Sequence, residues 1–460
     1  MSDILQGVGT VNVGLSTFAD ALRAQGAPVV EVDWRPPAGG DPRALELLTD
    51  LWGTHGERVA AGNADAIARI EGSAPRAVTV APAGDVVPGL RDGLLLHSGP
   101  PIEFARVCDP QRRALLAAAV FEGWAPDRAE AERLLERGEI ALEPGNEHDH
   151  VGPMTGVCSP SMPVWVVSDE RSGMRAYSTL NEGPGRTLWF GVGYDESIER
   201  LLFFRDALGP ELARLLERAG PVDVFGLAAQ GVTMGDELHM RSQATGNLLI
   251  RELAPAIAAV GSEPCARFIA GNHHFFLNLT MAAAKCASLA AAGADGSTVV
   301  SLMARNGVEV GIQLAGLPGR WFTAPAAPVD DALLRNGHGA ADAALDIGDS
   351  AVIECVGLGG MALAAAPAVA AFLGGDAAAA AARTELMAQL CAARSERFRI
   401  TGTGTPVGID ARLVVELGLT PQITTGVLHA SSGAGQIGAG VAHQPLEPFR
   451  AAVEALAEAQ

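Results

Sequence analysis

The sequence predicts an α/β chain of mixed α+β type, with a small Rossmann-like start, a small helical insert and a larger α+β body. Strand-like and helical patterns alternate along the 460 residues, and 55 glycines supply many tight turns between them. Hydrophobic residues make up 48% of the chain and charged residues 19%, which is ordinary for a folded globular protein. Because this length allows about two to four domains, we expect divisions into residues 1–100, 101–145, 146–325 and 326–460.

The N-terminal part has the pattern of a strand, a helix and a second strand. Residues 10–13 and 29–33 suit strands, and residues 16–25 between them suit a capped helix. Asp33 ends the second strand, where the ribose-binding acid of a dinucleotide fold would lie. The glycine-containing segment 7–12, however, precedes the first strand and lacks the third glycine of that fingerprint. We therefore expect a small βαβ unit and no nicotinamide cofactor.

The middle and the end of the chain have different patterns. Residues 103–141 are rich in Ala, Leu, Glu and Arg, which predicts a compact helical insert. From residue 146 onward, glycine-rich turns separate further predicted elements: strands at 164–167, 298–303 and 308–314, and a helix at 411–417. We therefore expect the main polar clusters in residues 146–325 and a second α/β part in residues 326–460.

Charge and cysteine content exclude several classes of protein. The formal net charge is −20 and no basic patch is interleaved with aromatic residues, so nucleic acid is not an expected partner. The six cysteines include no C-x-x-C pair, which argues against a zinc ribbon and for reduced thiols. The first residues show neither the basic nor the apolar region of a secretory signal, so we expect a cytoplasmic protein.

One uncharged segment is long enough to cross a bilayer. Residues 355–375 carry no charge, but they are mostly Ala and Gly and include Pro367. The flanks carry Asp349, Glu354 and Asp376, whereas lysine or arginine is typical of the inner flank of a membrane span. The segment is better explained as a strand, a Gly-Gly turn and a buried helix, so no membrane association is expected.

The most informative single residue is Lys285, since it is the only lysine beside 32 arginines. A predicted helix places His274, Asn278 and Lys285 within a narrow stripe on one face. Three polar groups on one side of a helix of Ala, Leu and Met indicate a ligand site. The alternative is an amphipathic helix with a solvated edge.

Two loops carry further candidate groups. Glu147 and His148 precede a Gly-Pro turn and suit a general base or a metal ligand, and we expect both to border a cleft. His148 and His150 would point to the same side of an extended strand. Asn181 and Glu182 stand in a turn, where they either contact a ligand or cap the turn. The alternative for both loops is helix capping or a solvated surface.

Three later segments suit the binding of anions or carboxylates. Residues 304–307 are expected to turn between two strands and to present the Arg305 fork beside Asn306. Residues 402–410, with Gly404, Thr405 and Asp410, are expected to form a loop that enters a helix, where backbone N–H groups hold phosphate. His429 precedes a further Gly/Ser loop. A glycine-rich chain also produces such loops without any ligand. Residues 234–241 are expected to open a helix, where their acids suit its N-terminus.

Taken together, several ordered motifs resemble the YlbE-like family over nearly the whole chain. The motifs are LHSGPPI at 96–102, VGPM at 151–154, SPSMP at 159–163, LNEG at 180–183, MGDE at 234–237, GNHHFFLNL at 271–279, MARNG at 303–307, GDSA at 348–351 and GTPVGID at 404–410. His273 departs from the family pattern, in which an acid is expected, and this puts a metal role for that position in doubt.

The resemblance implies a subunit of oxamate carbamoyltransferase that acts in anaerobic allantoin breakdown. Such a complex includes an FdrA-like subunit and a third small subunit, and it passes a carbamoyl group between oxalurate and phosphate. A related small acid or amide is an alternative substrate, and a homo-oligomer is also possible. We expect no metal and no cofactor. The residues predicted to act in catalysis are Glu147, His148, His274 and Lys285, and those predicted to bind the small anionic substrate and phosphate are Asn181, Glu182, Asn272, Asn278, Arg305, Asn306, Gly404, Thr405, Asp410 and His429.

Two other classes of function stay open at this point. The alternatives to a catalytic carbamoyltransferase subunit are a non-catalytic structural subunit of that complex and a metal-dependent amide hydrolase using Glu147, His148, His150 and His239. The phosphate loop of ordinary transcarbamoylases is Ser-Thr-Arg-Thr-Arg at a helix start. The nearest match here, at residues 395–399, is expected to be a solvated charge run. Carbamoyl transfer would therefore depend on other residues or on a partner.

Overall fold

The computed structural model describes residues 10–32, 34–193 and 195–459. Helices alternate with several small sheets of two to four strands in this part of the chain, which confirms the predicted mixed α+β class. No helix in the described ranges is long and apolar enough to cross a membrane. The N-terminal glycines 7 and 9 and the candidate ribose-binding Asp33 lie outside the described residues.

The predicted βαβ unit is present at the start of the described chain. It consists of β1 (Thr10–Val13), α1 (Ser16–Arg23) and β2 (Val29–Val32), and the two strands pair in parallel. The unit packs mainly on itself and leaves large apolar side chains exposed, among them Val11, Leu15, Phe18 and Val30. No further strand joins this two-stranded sheet within the described residues, so the Rossmann-like pattern extends no further.

The next elements connect the start of the chain to its body. They are α2 (Pro42–Trp52), α3 (Gly56–Gly72), β3 (Arg76–Pro82), α4 (Ala83–Val86), β4 (Leu94–His97), α5 (Asp109–Phe121), α6 (Arg128–Glu136) and β5 (Ala141–Pro144). Helices α5 and α6 lie within the predicted helical insert and form their own apolar cluster. Strand β4 pairs with β5 in parallel, so hydrogen bonds cross the predicted division at residue 100. The domain boundaries remain predictions.

A central antiparallel sheet and a group of helices follow. The elements are β6 (Pro163–Ser168), β7 (Arg175–Thr179), α7 (Asp195–Phe203), α8 (Gly209–Ala219), β8 (Val222–Asp223), α9 (Val224–Thr233), α10 (Gln243–Val260), α11 (Glu263–Gly271) and α12 (Leu277–Ala291). The sheet has the order β7-β6-β3-β8. Helix α12 is buried along almost its whole length, which its small Ala and Ser side chains permit because neighbours can approach on every side.

The last part contains three further sheets. The elements are β9 (Val300–Asn306), β10 (Glu309–Leu314), β11 (Leu317–Pro325), β12 (Val329–Leu334), β13 (Ile347–Gly348), α13 (Val352–Cys355), α14 (Pro367–Phe372), α15 (Ala377–Ala388), β14 (Cys391–Ile400), β15 (Thr403–Ile409), α16 (Ala411–Leu417), β16 (Gln422–Leu428), β17 (Gln436–His443) and α17 (Glu447–Ala459). The sheets have the orders β11-β10-β9-β13, β12-β17-β16 and β14-β15.

Three predicted local structures in this part are wrong. The segment after residue 355 contains no strand before residue 391; it continues as a 3-10 helix and then α14. Residues 403–409 form β15 rather than a loop, because they pair with β14. The charge run at 395–399 lies within β14, where Ser395 and Phe398 are buried rather than solvated.

Candidate active site

The main candidate site is a cavity of about 420 Å³ where several distant parts of the chain meet. Its walls come from the loop before α10, the turn before α12, the ends of β12, β16 and β17, and helix α14. Trp189, Phe190, Leu277 and Phe372 give it apolar sides. The polar residues that line it are His239, Arg241, Ser242, Gln243, His273, His274, Arg335, Ser350, Thr425 and Gln436. We refer to it below as the central cavity.

Two arginines make the central cavity suitable for an anion. Arg335 is exposed, and its guanidinium has no hydrogen-bond or ion-pair partner in the described part of the chain. Nε of Arg241 donates to the Gly235 carbonyl at 3.0 Å and lies 3.3 Å from Asp236, which leaves its terminal nitrogens available. A guanidinium offers parallel N–H donors that match a carboxylate or a phosphate. The cavity can therefore hold a small acid between cationic and apolar walls.

The wall also contains a histidine that is oriented by a buried acid. Nδ1 of His239 lies 2.8 Å from Oε1 of Glu354, a residue with no exposed surface. The same oxygen accepts a hydrogen bond from the Gly360 backbone N–H at 3.0 Å. Since Nδ1 is engaged by Glu354, Nε2 is the ring nitrogen left for the cavity. This is the arrangement by which a carboxylate sets the tautomer and orientation of an imidazole.

The loop that carries His239 and Arg241 is held by a second buried acid. The Glu237 carboxylate accepts backbone N–H groups of His239 at 3.0 Å, of Met240 and of Arg241 at 2.7 Å. Burial raises the pKa of Glu237 to about 7, with the nearby Glu354 acting in the same direction and His239 opposing the rise. Leu238, between these residues, has a φ of +74°, an unusual conformation for a non-glycine residue. Such strain persists where surrounding contacts enforce it, and it is frequent at functional sites.

His274 is the predicted catalytic residue that does line the central cavity. Burial lowers the pKa of His274 to about 4, so its imidazole is neutral near pH 7, and the neighbouring His273 and His239 act in the same direction. Its Nδ1 is buried without a hydrogen-bond partner among the described residues. A neutral ring with an unused nitrogen can bind a ligand donor or acceptor.

Lys285 lies elsewhere, so the predicted stripe shared with His274 is wrong. His274 precedes α12, whereas Lys285 is buried inside it and donates from Nζ to the Asn146 carbonyl at 3.1 Å. Burial lowers the pKa of Lys285, against the opposing charges of Asp149, Asp349 and Glu147. The lysine therefore belongs to a buried charge network rather than to the wall of the central cavity.

Asp349 is the acid that ties this network together. Its carboxylate accepts from the backbone N–H groups of Gly99 at 2.7 Å and Gly152 at 3.0 Å, and from the Asn146 amide at 2.8 Å. Burial raises the pKa of Asp349 to about 7, and Arg305 and Lys285 oppose that rise. The network joins three segments that are distant in sequence, which suits a structural role.

Glu147 and His148 do not line the central cavity. Glu147 is exposed, and Oε1 accepts from Nε1 of Trp321 at 3.3 Å. His148 lies with Nδ1 2.7 Å from the Pro88 carbonyl and Nε2 2.7 Å from Glu143. Both ring nitrogens of His148 are thus engaged, one by the segment before β4 and the other by β5. Its catalytic role, like that of Glu147, stays a prediction.

The predicted substrate-binding asparagines cluster, but they bind one another. The Asn181 amide donates to Oδ1 of Asn278 at 2.8 Å, and the Asn272 amide donates to the Asn181 carbonyl at 2.9 Å. The Asn278 amide donates to the Thr179 carbonyl at 2.7 Å. Glu182 accepts the backbone N–H groups of Leu188 and Trp189 at 2.8 and 2.9 Å, and burial raises its pKa to about 7. This cluster therefore supports the Trp189 wall of the central cavity from behind.

Arg305 does not form the predicted exposed fork. It lies within β9 and is fully buried, with Nε and one terminal nitrogen donating to Asp346 at 2.8 and 3.0 Å. Its other terminal nitrogen donates to the Gly348 carbonyl at 2.6 Å. Asn306 accepts the N–H groups of Val308 and Glu309 and closes the turn to β10. The turn starts after residue 306, because pairing with β10 and β13 extends the strand.

Of the last four predicted residues, Gly404, Asp410 and His429 have structural partners. A Cβ atom on Gly404 would lie 2.0 Å from the Ser395 carbonyl oxygen, so strand packing requires glycine there. Asp410 caps α16 and accepts from Thr298 at 2.7 Å, while Thr405 is buried without a hydrogen-bond partner in the described chain. Nδ1 of His429 accepts the Ser431 and Ser432 N–H groups, both at 3.2 Å.

Sequence reasoning misses most of the central cavity. Arg241 stands in a segment that the sequence predicts to open a helix, yet α10 begins only at Gln243. The expectation that an acid interacts with the N-terminus of this helix is nevertheless met, because the Asp236 carboxylate accepts the N–H of Thr245 in the first turn of α10 at 2.7 Å. Arg335 and Glu354 carry no local signal, because their partners lie far away in sequence.

The residues of the predicted metal-dependent hydrolase are not brought together. Within the described ranges, no group of three or more His, Cys, Asp or Glu side chains has an arrangement that could hold a metal ion. His148 is engaged by Glu143, whereas His239 is engaged by Glu354. The structure therefore does not support a metal-dependent amide hydrolase that uses these residues in one site.

Comparisons with known proteins identify the class of protein to which the chain belongs. The family model "Oxamate carbamoyltransferase subunit AllG" matches residues 140–350. Oxamate carbamoyltransferase subunit AllG of Escherichia coli (strain K12) is 41% identical over 411 residues, which is 87% of this chain and 98% of that protein. The chain belongs to the AllG family.

Two further relatives share the fold or the sequence. The uncharacterized protein YahG of Escherichia coli (strain K12) is 37% identical over 457 residues, 97% of each chain. A crystal structure of a conserved protein of unknown function from Enterococcus faecalis V583 matches with a TM-score of 0.85 at 36% identity, over 87% of this chain and 98% of that one. The predicted kinship with a carbamoyltransferase subunit is thereby confirmed, whereas the YlbE-like name stays a prediction.

Proposed function

We propose that this chain is a subunit of an oxamate carbamoyltransferase-type complex, in which a carbamoyl group passes between oxalurate, or a related small acid amide, and phosphate. The membership in the AllG family supports the class of reaction. The observation that carries the proposal for this chain is the presence of Arg241 and Arg335 at the central cavity. In this proposal the cavity binds the small acid.

The chemistry of the substrates matches the lining of the cavity. Oxalurate, oxamate, phosphate and carbamoyl phosphate are all anions, and each offers oxygens to a guanidinium fork. Transfer requires the reactants to be held close together and donors to be aimed at the developing negative charge. A volume of about 420 Å³ is sufficient for two small anions. The reaction involves no oxidation or reduction, so it requires no redox cofactor.

The partners of the complex belong to the same proposal. We expect an FdrA-like subunit and a third small subunit, and a cytoplasmic location in keeping with six free cysteines. Co-purification of the chain with both subunits, followed by measurement of the mass of the complex, tests this composition. Isolation of the tagged chain only as a monomer or a homo-oligomer would contradict it.

The function is tested by reconstitution and by removal of one charge. The chain, assembled with its partner subunits, should form carbamoyl phosphate from oxalurate and phosphate. Arg335→Met should raise the KM for one of the two anions by roughly tenfold or more, equivalent to about 1.4 kcal/mol. Arg218→Met is the matched control, because Arg218 is an exposed arginine on α8 outside the cavity.

A second candidate, a non-catalytic subunit, is separated by the same measurements. An active complex in which Arg335→Met and Arg241→Met leave both KM values unchanged would place the anion site on a partner. Lys285→Met in the assembled complex tests the catalytic role that the sequence predicts for the lysine. Loss of turnover with unchanged substrate binding and melting temperature would support that role despite its distance from the cavity wall.

A further inference from the structure

We propose that His239, oriented by Glu354, is the group that moves the proton during carbamoyl transfer at the central cavity. This inference rests on the proposed function and assigns a catalytic residue to it. The starting observation is a His–Glu pair with a short bond of 2.8 Å between Nδ1 and Oε1. The imidazole borders the cavity and the carboxylate is completely buried behind it.

The surroundings of Glu354 are built to hold its carboxylate in one place. A Cβ atom on Gly359 would lie 2.1 Å from Oε1 of Glu354, and one on Gly360 would lie 2.1 Å from the Gln422 carbonyl oxygen. Both positions therefore require glycine for close approach, and Gly360 uses it to donate its N–H to Oε1. Oε2 has no hydrogen-bond partner among the described residues. In this part of the chain, His239 is therefore the side chain that the Glu354 carboxylate holds in position.

The backbone of His239 is held as firmly as its ring. Three consecutive N–H groups, from His239 to Arg241, converge on the Glu237 carboxylate, and the Thr424 hydroxyl donates to the same group at 3.3 Å. Leu238 keeps a left-handed conformation between them and is fully buried. One loop thus presents an imidazole and a guanidinium to the same cavity, which positions a base beside a bound anion.

One imidazole is sufficient for the proton transfers of the reaction, because it first accepts a proton and then returns it. A phosphate oxygen attacks the ureido carbonyl carbon of oxalurate, and Nε2 of His239 accepts the proton of that phosphate hydroxyl. The new C–O bond forms, and the bond from the carbonyl carbon to the oxamate nitrogen breaks. The imidazolium then returns the proton to the departing nitrogen, which gives neutral amide and carbamoyl phosphate. Glu354 stabilises the imidazolium between the two transfers without itself taking the proton.

Several charged and titratable groups face His239 from its own loop and from other elements. Glu354 and Glu237 lie against it, Arg241 follows on the same loop, and His273, His274 and Arg335 line the cavity from other elements. A carboxylate beside an imidazole favours its protonated form, whereas a nearby guanidinium disfavours it. Replacement of one acid by its amide therefore changes the pH at which the base becomes active.

The test uses the assembled complex and separates turnover from binding. His239→Gln should lower kcat by about 100-fold or more while the KM for oxalurate changes little. Glu354→Gln keeps an acceptor for Nδ1 but removes the charge, so the acid limb of the kcat profile should move to lower pH by about one unit or more. The matched control is His55→Gln, since His55 pairs with Asp50 outside the cavity.

The possible outcomes distinguish this role from the proposed function. An inactive wild-type complex overturns both. An active complex in which His239→Gln keeps more than a third of the wild-type kcat overturns only the role of His239. Oxamate binding, measured by calorimetry, reports whether each variant is folded. If His239→Gln does not bind oxamate, the pH profile of kcat for Glu354→Gln becomes the deciding measurement. An acid limb at the same pH as in the wild type would then refute the proposal.

Discussion

Two arginines of this chain show how burial decides the role of a side chain. Arg305 is fully buried, and each of its three guanidinium nitrogens donates to Asp346 or Gly348. Arg335 is exposed at the central cavity, and no described residue accepts a hydrogen bond from its guanidinium. A buried guanidinium must find acceptors inside the protein, because leaving its charge without partners would cost several kcal/mol. An exposed one at a cavity is available to a ligand.

We predict that Arg305→Lys destabilises the protein without a specific effect on substrate binding. Lysine keeps the charge but cannot reproduce the paired N–H bonds to Asp346, so the free energy of unfolding should fall by about 1–3 kcal/mol. Chemical denaturation measures the change. Arg69→Lys is the control, because Arg69 forms an exposed pair with Asp65, and its replacement should change stability by less than about 1 kcal/mol.

His150 provides a second prediction at the residue scale. Neither of its ring nitrogens has a hydrogen-bond partner in the described chain, and burial lowers its pKa to about 3, with the charges of His148 and Lys285 acting in the same direction. Its folded pKa thus lies below the unfolded value of about 6.5. The stability that His150 contributes is present above about pH 6.5 and is lost as the pH falls toward 3.

His150→Leu should therefore make the protein less sensitive to acid. Between pH 6.5 and pH 5 the wild type should lose about 2 kcal/mol relative to the variant, at about 1.4 kcal/mol per pH unit. The buried carboxyls with raised pKa values, Glu182, Glu237 and Asp349, act with the opposite sign in this range, but they cancel because both proteins carry them. Unfolding free energies at pH 7.5 and pH 5 give the difference. If the free energy of unfolding changed equally with pH in the wild type and in His150→Leu, the proposal that His150 is buried in its neutral form would be wrong.

At the scale of elements, close backbone contact positions α3 against the body. A Cβ atom on Gly62, in the middle of α3, would lie 2.2 Å from the Asp295 carbonyl oxygen and 2.8 Å from the Ser297 nitrogen. These neighbours are backbone atoms that cannot rotate away. The nearby Asn63 side chain donates to Thr298 and Asp410, which joins the same contact to α16.

We predict that Gly62→Ala destabilises the protein by about 1–3 kcal/mol, because overpacking outweighs the gain in helix propensity. Gly72→Ala is the matched control on the same helix, since a Cβ atom added there would meet no neighbouring atom within 4 Å. Melting temperatures of the two variants measure the contrast. A Gly62→Ala protein as stable as the Gly72→Ala protein would show that the helix can shift without cost.

At the scale of the whole molecule, the central cavity connects parts of the chain that belong to different apolar cores. Met154, Trp189 and Leu277 pack in the core around α12, while residues from β16 and β17 pack in the core with α16 and α17. A ligand in the cavity would contact the first group and the strands β16 and β17 that carry part of the second. Ligand binding should therefore stabilise the folded chain as a unit.

We predict that oxamate raises the free energy of unfolding by about 2.7 kcal/mol at 100 times its Kd, as expected for a ligand that binds only the folded state. Thermal melting of the purified chain at increasing oxamate concentrations measures this effect. Arg335→Met should abolish the shift, whereas Arg218→Met should retain it. An identical shift in the Arg335→Met protein would mean that oxamate binds elsewhere.

Much of the local structure could be predicted from the sequence, because it depends on short-range periodicity. The strands at 10–13 and 164–167, the helices of the 103–141 insert and the helix at 411–417 all lie where the pattern of apolar residues indicates. The errors occur where distant pairing overrides local composition. Residues 403–409 look like a glycine-rich loop, yet pairing with β14 makes them a strand.

The sequence by itself determined the mixed α+β class, the absence of a long apolar helix from the described ranges and the kinship with a carbamoyltransferase subunit. These properties follow from composition, periodicity and ordered motifs. Only the tertiary structure decided which polar residues share a site: it brought His239, Arg241 and Arg335 to one cavity, placed Glu354 behind His239, and enclosed Lys285 and Arg305 in the interior. The reason is physical, since burial and partners set the charge, orientation and availability of a side chain, and residues remote in sequence supply both.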